Sequence, residues 1–540
     1  MAAAYRLARD QRHSVVLVEA SPRLGGKVAS VEVAGVEVDA GPDGFLARGH
    51  AAAELCKEIG LSLCSPRVRS AYVWSRGKLR RLPDGLVFGV PGRLLPLLRS
   101  GIVPPSGVVR AALDLVMPAT WHPRDFSVDD AVTSRLGRKV TECLVEPLIG
   151  GVHAAGAHEL SMPEVAPHLA AAFSSSRSAL LAIRRLPRPT NSEAPVFLSP
   201  VGGMHLLADR LASLLAASQT GVSRLEVITG DGVVSLGRDR HGRAAATAGT
   251  GAAESEPSSM WTLGPSSGRS VTSMWTLSLS SGRSVTSMWT IGPSSGRSVT
   301  SMWTLSLSSG RSVEADAVVL ALPAFEAACL VPDLSPELSA IGYTAVCVVT
   351  LAYPKGSLPD SLDGSGFLSP RREGNIMTAA TWLSAKWQHY SRAHVDLVRI
   401  SAGRSGDRRA EQLDDKELVD HLHAELTAAM ATIGLSMPPP VEAKVVRWKA
   451  ALPLYGVGHR ARITAIRSHL DDLPGLHLAG AYLDGVGVPA CIESGFLAAR
   501  ALQEEREERE EREEREEREE REEREEREER EEREEREEQR

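Results

Sequence analysis

Glu19 ends an apolar run, Val15 to Val18, and is followed within seven residues by Arg23, Gly25 and Gly26. Four β-branched or aliphatic residues in a row suit a strand buried on both faces. A carboxylate at the carboxyl end of such a strand is placed to accept hydrogen bonds from a ribose diol. The glycines let backbone approach a bulky ligand, and the guanidinium offers a fork of donors to a phosphate. The spacing E-A-S-P-R-L-G-G-K thus points to nucleotide binding; the alternative is an ordinary loop after a parallel strand. A second stretch with chemical potential runs from Gly475 to Gly495, where an apolar strand leads through Gly485-Val486-Gly487-Val488 into a helix start near Ala490. Such a turn aims backbone amides and a helix dipole at one spot, which favours developing negative charge.

No protein nucleophile presents itself. Cys491 sits in the glycine-rich turn with no adjacent cation to lower its pKa, so no catalytic side chain is assigned. His153 and His158 have no third ligand nearby, and no metal site is expected. The six cysteines form no C-x-x-C, and no signal peptide is evident, which favours reduced thiols and a cytoplasmic setting. No apolar run reaches the roughly 18 residues of a spanning helix. The apolar stretch Leu86 to Leu98 leaves two readings open, shallow membrane contact or buried core.

Several elements must position these residues. Residues 29–45 alternate as a hairpin turning at Ala34-Gly35, followed by the Gly41-Pro42-Asp43-Gly44 loop. Ala51 to Gly60 reads as a helix and Tyr72 to Leu82 as a hairpin. Residues 84–185 read as helical and proline-punctuated. Val196 to Leu207 reads as strand, Gly202-Gly203 turn and helix, and residues 227–236 as a strand pair around Gly230-Asp231-Gly232. Val318 to Pro323 is an apolar strand. Stretches near 345–352, 364–370, 379–387 and 397–403 suit a second sheet, closed by an amphipathic helix over 414–433.

Two segments are low in complexity. Residues 258–313 repeat every 14 residues, each unit carrying S-M-W-T and S-S-G-R-S-V. Removing three units would leave one W-x-L hairpin joined to Glu314-Ala315-Asp316-Ala317-Val318, so the block reads as a tandem expansion of one hairpin, looped out or stacked. From Glu504 the chain is an E-E-R repeat with a charge of −12, against −7 for all 540 residues, so the remainder is +5. A solvated helix and a disordered tail are both compatible with it.

E-A-S-P-R-L-G-G resembles the second FAD fingerprint of the flavin-containing amine oxidase superfamily. In that family a strand and a G-x-G-x-x-G-L loop precede a helix beginning A-A-A-Y-x-L; here Ala2-Ala3-Ala4-Tyr5-Arg6-Leu7 follows Met1 directly. The resemblance implies a chain truncated at its start that binds cofactor weakly or not at all. V-E-P-L-I-G-G-V-H-A-A-G-A-H-E-L-S (145–161), R-W-K-A-A-L-P-L-Y-G-V-G-H (447–459) and D-G-V-G-V-P-A-C-I-E-S-G (484–495) resemble the oxygen-dependent porphyrinogen oxidases of haem synthesis, actinobacteria-like branch. His153 stands for that family's usual Tyr and Ala155 for its usual Gly.

The resemblance implies an α/β (mixed α+β) fold: a Rossmann-like FAD domain lacking its first strand, a mixed-sheet substrate domain and a helical subdomain. The FAD domain would comprise 1–65, 200–325 and 446–502, with 258–313 as an insert. The substrate domain would comprise 66–90, 186–199 and 326–445. A helical, membrane-associating subdomain would span 91–185, and the tail 503–540. FAD would contact Glu19, Ala20, Arg23, Gly25, Gly26, Lys27, Gly41, Pro42, Asp43, Gly44, Val233, Trp448, Val486, Gly487 and Val488. Gly202, Gly203 and Met204 would face substrate, with Arg80, Arg81 and Lys386 as candidate rim cations. The implied reaction takes six electrons from copro- or protoporphyrinogen in three two-electron steps, each returned to O2 as hydrogen peroxide. No nucleic-acid partner is expected; peripheral membrane contact and a homodimer stay open. Two other readings also stay open: another oxidase of the superfamily, against which the aromatic content of 4% argues where an aromatic cage is needed, and an inactive remnant.

Overall fold

The computed structural model describes residues 1–10, 13–68, 70–117, 124–186, 195–218, 224–239, 275–280 and 302–538. Of the repeat block, units 258–271 and 286–299 lie outside the described residues.

Strand β1 (Ser14–Glu19) is the axis of a five-stranded sheet with β2 (Arg224–Thr229), β3 (Trp275–Ser280), β4 (Ala317–Leu320) and β5 (Leu476–Leu478), in the order β2-β1-β3-β4-β5. β1 pairs parallel with β2, and β4 parallel with β5; β3 runs antiparallel to both β1 and β4. The run Val15–Val18 is buried on both faces, as its unbroken apolar character requires. Val15 and Leu17 pack on helix α1 (Ala2–Arg9), on Leu215 of helix α2 (His205–Ser218) and on Ala498 and Ala499 of helix α3 (Val488–Glu538). Val16 and Val18 face the opposite layer, with Leu305, Leu338 and Ile463. Period two along one strand thus builds a three-layer unit whose carboxyl edge carries Glu19.

A seven-stranded sheet stands beside it. Its order is Glu442–Pro453, Tyr343–Pro354, Val395–Ala402, Met377–Trp382, Gly366–Leu368, Tyr72–Ser75, Lys78–Arg81. Asp415–Ala431 covers one face, starting from a capping box in which Asp414 and Glu417 bond each other's backbone amides. Residues 94–186 form short helices around a core of their own, including Leu136, Leu144, Leu160 and Phe173.

The structure departs from the sequence reading at four places. Residues 227–236 are two strands that do not pair: β2 joins β1, and Val233–Asp239 joins Met302–Leu307. Leu86–Pro91 is a small hairpin turning at Phe88-Gly89, with helix only from Leu94. The boundary expected at 445/446 falls inside the strand Glu442–Pro453, which belongs to the seven-stranded sheet and ends near the flavin-fingerprint loop. The second repeat unit is neither looped out nor stacked as a hairpin; its strand β3 is inserted in the central sheet. The tail continues α3 as helix to Glu538, with Arg506–Glu510 and Arg509–Glu513 pairs one turn apart.

Asp39, at the end of the Val36–Asp39 strand, ties the first hairpin to α2. Its buried carboxylate accepts the amides of Met204 (3.0 Å) and His205 (2.9 Å) and the Tyr390 hydroxyl (3.2 Å). These amides open α2 and would otherwise be orphaned. Asp39→Ala should destabilise the protein by about 2–4 kcal/mol in urea unfolding, because two buried amides lose a charged acceptor. A cost below about 1 kcal/mol would mean the cap is not needed.

Candidate functional site

The site lies at the carboxyl edge of β1. Glu19 is fully buried; the Ser21 amide donates to its Oε1 at 2.8 Å, while Oε2 has no partner. Burial pushes the carboxyl up to about 7, against the pull of Ser21, the Met1 amine and Arg23. A buried carboxylate oxygen without a donor is the fitting that a ribose diol satisfies. Next to it the Gly230 amide bonds Ser21 O (2.9 Å) and the Asp231 amide bonds Glu19 O (3.3 Å), bringing Ala20 and buried Val233 to the same corner.

The loop that follows closes on itself. Arg23 donates to Leu24 O (3.2 Å) and Gly26 O (2.7 Å), so part of its donor fork is spent on the turn formed by Gly25 and Gly26. Gly25 has φ +111°, and a Cβ there would lie 2.8 Å from Ala208 of α2, so this glycine seats the loop on the helix. Lys27 reaches across to the seven-stranded sheet, donating to Ala451 O at 2.9 Å. From the same strand Trp448 Nε1 donates to Ala40 O at 3.0 Å, and Gly41 passes so close to Lys27 that a Cβ would lie 1.8 Å from its carbonyl oxygen. Lys27, Gly41 and Trp448 therefore form one crossing point between the two sheets.

The Asp43 carboxylate is engaged by the second sheet and the helix beside it. Burial opposes its charge, but Lys386 (2.7 Å) and Arg399 (3.7 Å), with the Trp387 indole N–H at 3.0 Å, hold it well below the usual carboxylate range. Asp43 thus braces the Pro42–Gly44 loop against the second sheet. Lys386 is consumed in this pair and is no free rim cation; Arg81 is likewise paired, with Asp363 at 2.7 Å. Arg80 donates to Ser75 O at 3.2 Å. Met204 is also reassigned: its amide is fixed by Asp39, and its side chain is buried among Phe45, Leu55, Leu207 and Ile492 rather than facing a substrate. Gly202 and Gly203, both at positive φ, shape the turn that leads into α2.

The third component is the start of α3. Val486 and Val488 are half-buried, Gly487 is exposed, and the Cys491 amide bonds Gly487 O at 3.0 Å. Burial pushes the Cys491 thiol up to about 11, against the pull of Lys27, so it stays protonated at neutral pH. Lys27 is itself held low by burial, with Cys491 and Glu326 favouring its charge.

Glu326, one turn beyond β4, was not singled out from the sequence. It is pushed up to about 7 by burial, and its Oε2 has no partner; Lys27 acts against the shift and Glu19 adds to it. Glu19, Lys27, Glu326 and Cys491 thus share one buried electrostatic region where β1, β4, α3 and the second sheet converge. The signal for Glu326 was a lone acid after A-L-P-A-F, too common to single out.

Glu19 gives a pH dependence that can be isolated. Its folded-state pKa lies above its unfolded value, so its contribution is fully present below about 4.5 and is lost as pH rises through about 7. Glu19→Gln does not titrate. In cofactor-free protein, its stability relative to wild type should rise between pH 4.5 and 8 by up to about 3 kcal/mol, read by denaturant unfolding at both pH values. A pH-independent difference would contradict the shift.

The profile of the family described as "Flavin containing amine oxidoreductase" matches residues 1–255 and 282–503. The chain is 28% identical over 486 residues to a coproporphyrinogen III oxidase of Bacillus subtilis (strain 168), covering 89% of this chain and 90% of that protein. It is 29% identical over 516 residues to a coproporphyrinogen III oxidase of Mycobacterium leprae (strain TN), covering 94% and 96%. Among solved structures, a protein of Exiguobacterium sp. 255-15 provisionally assigned as a protoporphyrinogen oxidase superposes with a TM-score of 0.72 at 26% identity, over 93% of this chain and 96% of that one. With a profile match over most of its length and the β1 carboxylate in place, the chain belongs to the flavin-containing amine oxidoreductase family.

Proposed function

We propose that the protein is an oxygen-dependent porphyrinogen oxidase that converts coproporphyrinogen III to coproporphyrin III with FAD as cofactor. What supports this reading is the buried Glu19 carboxyl, with one oxygen unpaired at the carboxyl edge of the nucleotide-type sheet, while Lys27 and Trp448 bond between its loops and a strand of the second sheet. The coproporphyrinogen oxidase names of the relatives from B. subtilis and M. leprae favour that substrate over protoporphyrinogen.

The flavin, when bound, supplies the two-electron acceptor that O2 re-oxidises. The chain's own residues bind and orient it. Glu19 Oε2 would accept from the ribose, with Ala20 and Val233 alongside. The loop Arg23–Lys27 and the Gly41–Pro42 turn would line the cofactor. The amides opening α3 near Gly487 and Val488 would serve the flavin's pyrimidine end, where a helix N-terminus favours negative charge. Trp448 and Asp43 act through the backbone and ion pairs they hold, fixing these loops to the second sheet. Gly202 and Gly203 stand at the joint through which a flat macrocycle would enter.

The test is turnover. Purified protein supplied with FAD and then freed of unbound flavin should absorb near 375 and 450 nm (about, for oxidised flavin), and should turn coproporphyrinogen III into fluorescent porphyrin with three O2 consumed per product. Glu19→Ala should weaken FAD binding roughly 10- to 100-fold, the value of a charge-assisted hydrogen bond. A colourless, folded protein without turnover would reject the reading.

We also place peripheral membrane contact on the helical region. Among the described residues no helix is long and apolar enough to cross a membrane. Leu95 (56% exposed) lies beside Arg93 and Arg184 on one open surface, and Leu98 (46%), Val109 (65%) and Val116 (73%) add exposed apolar area in the same helical region. Apolar side chains beside cations suit an anionic lipid surface. Co-flotation with vesicles containing anionic lipid should be lost in Leu95→Asp/Leu98→Asp; unchanged flotation would contradict this assignment.

A further inference from the structure

The middle of the nucleotide-type sheet is made of a segment that the family profile leaves out. The match covers 1–255 and 282–503, so Trp275–Ser280 falls wholly in the unmatched stretch. Yet β3 pairs along its full length with β1, from Ser14↔Ser280 to Glu19↔Trp275, and over four residues with β4, from Leu279↔Ala317 to Thr276↔Leu320. Without it, β1 and β4 would face each other across two inter-strand spacings, about 9.6 Å. The backbone groups they turn to that gap lie in the most buried part of the fold, where Val15, Leu17 and Val318 to Leu320 are each 1% exposed or less. Buried amides and carbonyls left without a ladder partner are strongly disfavoured.

The four repeat units differ in a way that selects one of them. Units 272–285 and 300–313 are identical, T-S-M-W-T-L-S-L-S-S-G-R-S-V. Units 258–271 and 286–299 carry Gly264-Pro265 and Gly292-Pro293 where the others have Ser-Leu. Proline has no N–H for a ladder, and glycine weakens a strand. The fourth unit is already committed: Met302–Leu307 pairs with Val233–Asp239 and with Ser312–Ala315 in a separate sheet. Only the second unit has a proline-free strand sequence and is left for the slot.

We propose that the repeat block is a strand donor for the cofactor-binding sheet, with the unit 272–285 filling the slot between β1 and β4 as an antiparallel strand on which the folding of that sheet depends. The direction matters for function. Trp275, the first residue of β3, is opposite Glu19, and Ser280, the last, is opposite Ser14. A parallel strand in this place would send its carboxyl end, and the turn after it, to the Glu19 edge. The antiparallel strand holds the sheet closed without bringing a phosphate-binding turn to that edge.

Two deletions of equal length in the 540-residue chain test this independently of any activity. Removing 286–299 takes out a Gly-Pro unit and should leave Tm within about 2 °C of the parent. Removing 272–285 should lower Tm by more than about 5 °C or abolish the cooperative transition. Adding Gly292→Ser and Pro293→Leu to the second deletion rebuilds a proline-free strand and should restore Tm to within about 2 °C. Amides of Val15–Val18 and Val318–Leu320 should exchange at least about 100-fold faster in the 272–285 deletion than in the 286–299 deletion. Equal Tm values for the two deletions, or failure of the double substitution to rescue, would overturn the proposal.

Discussion

Everything at the site hangs on β1 being paired along both edges and packed on both faces. Its apolar run has no face to spare for water, so it must lie inside a sheet that lies inside two layers. Once that condition is met, Glu19 emerges at the sheet's carboxyl edge with one oxygen fixed by Ser21 and the other free. The same condition explains why the strand order matters more than the identity of the neighbour. β2 satisfies one edge in the expected parallel manner, and a repeat-derived strand satisfies the other in the opposite direction.

The electrostatics follow from that burial. Two buried carboxyl groups, Glu19 and Glu326, raise each other's cost of ionising, with the Met1 amine and Arg23 acting on Glu19 and Lys27 on Glu326. Both acids are pushed toward neutrality, while Asp43, a short distance along the chain, is held firmly ionised by Lys386 and Arg399. Three acids of similar intrinsic strength thus take different charge states, set by whether a cation is within hydrogen-bond reach. The ionised one fastens two sheets together; the other two each keep one oxygen without a partner.

Much of this was legible in the chain. The strand–acid–Gly-Gly stretch, the hairpin turning at Ala34-Gly35 and the Gly485–Val488 turn are local patterns, and local patterns carry their own geometry. What escaped depends on residues far apart in sequence. Asp39 caps a helix 166 positions away, and Asp43 meets cations 343 and more residues on, so neither role leaves a periodic trace. The placement of β3 escaped for a related reason: two identical 14-residue units occupy different sheets, so the sequence of a unit cannot say which ladder it joins. The substrate-facing role of Gly202, Gly203 and Met204 rests on the family resemblance of the G-G-M turn, not on a local pattern. What the sequence does not show is that the Met204 amide is held by Asp39 and its side chain is buried in the core.

The central claim is that the free oxygen of Glu19 is a cofactor acceptor. The most direct measurement is the carboxyl 13C shift of Glu19 followed against pH, with and without FAD. A midpoint near 7 is expected in the cofactor-free protein, with a clear downward move on FAD binding, since a donated hydrogen bond favours the ionised form. An ordinary carboxylate midpoint without cofactor, or one that FAD leaves unmoved, would contradict it.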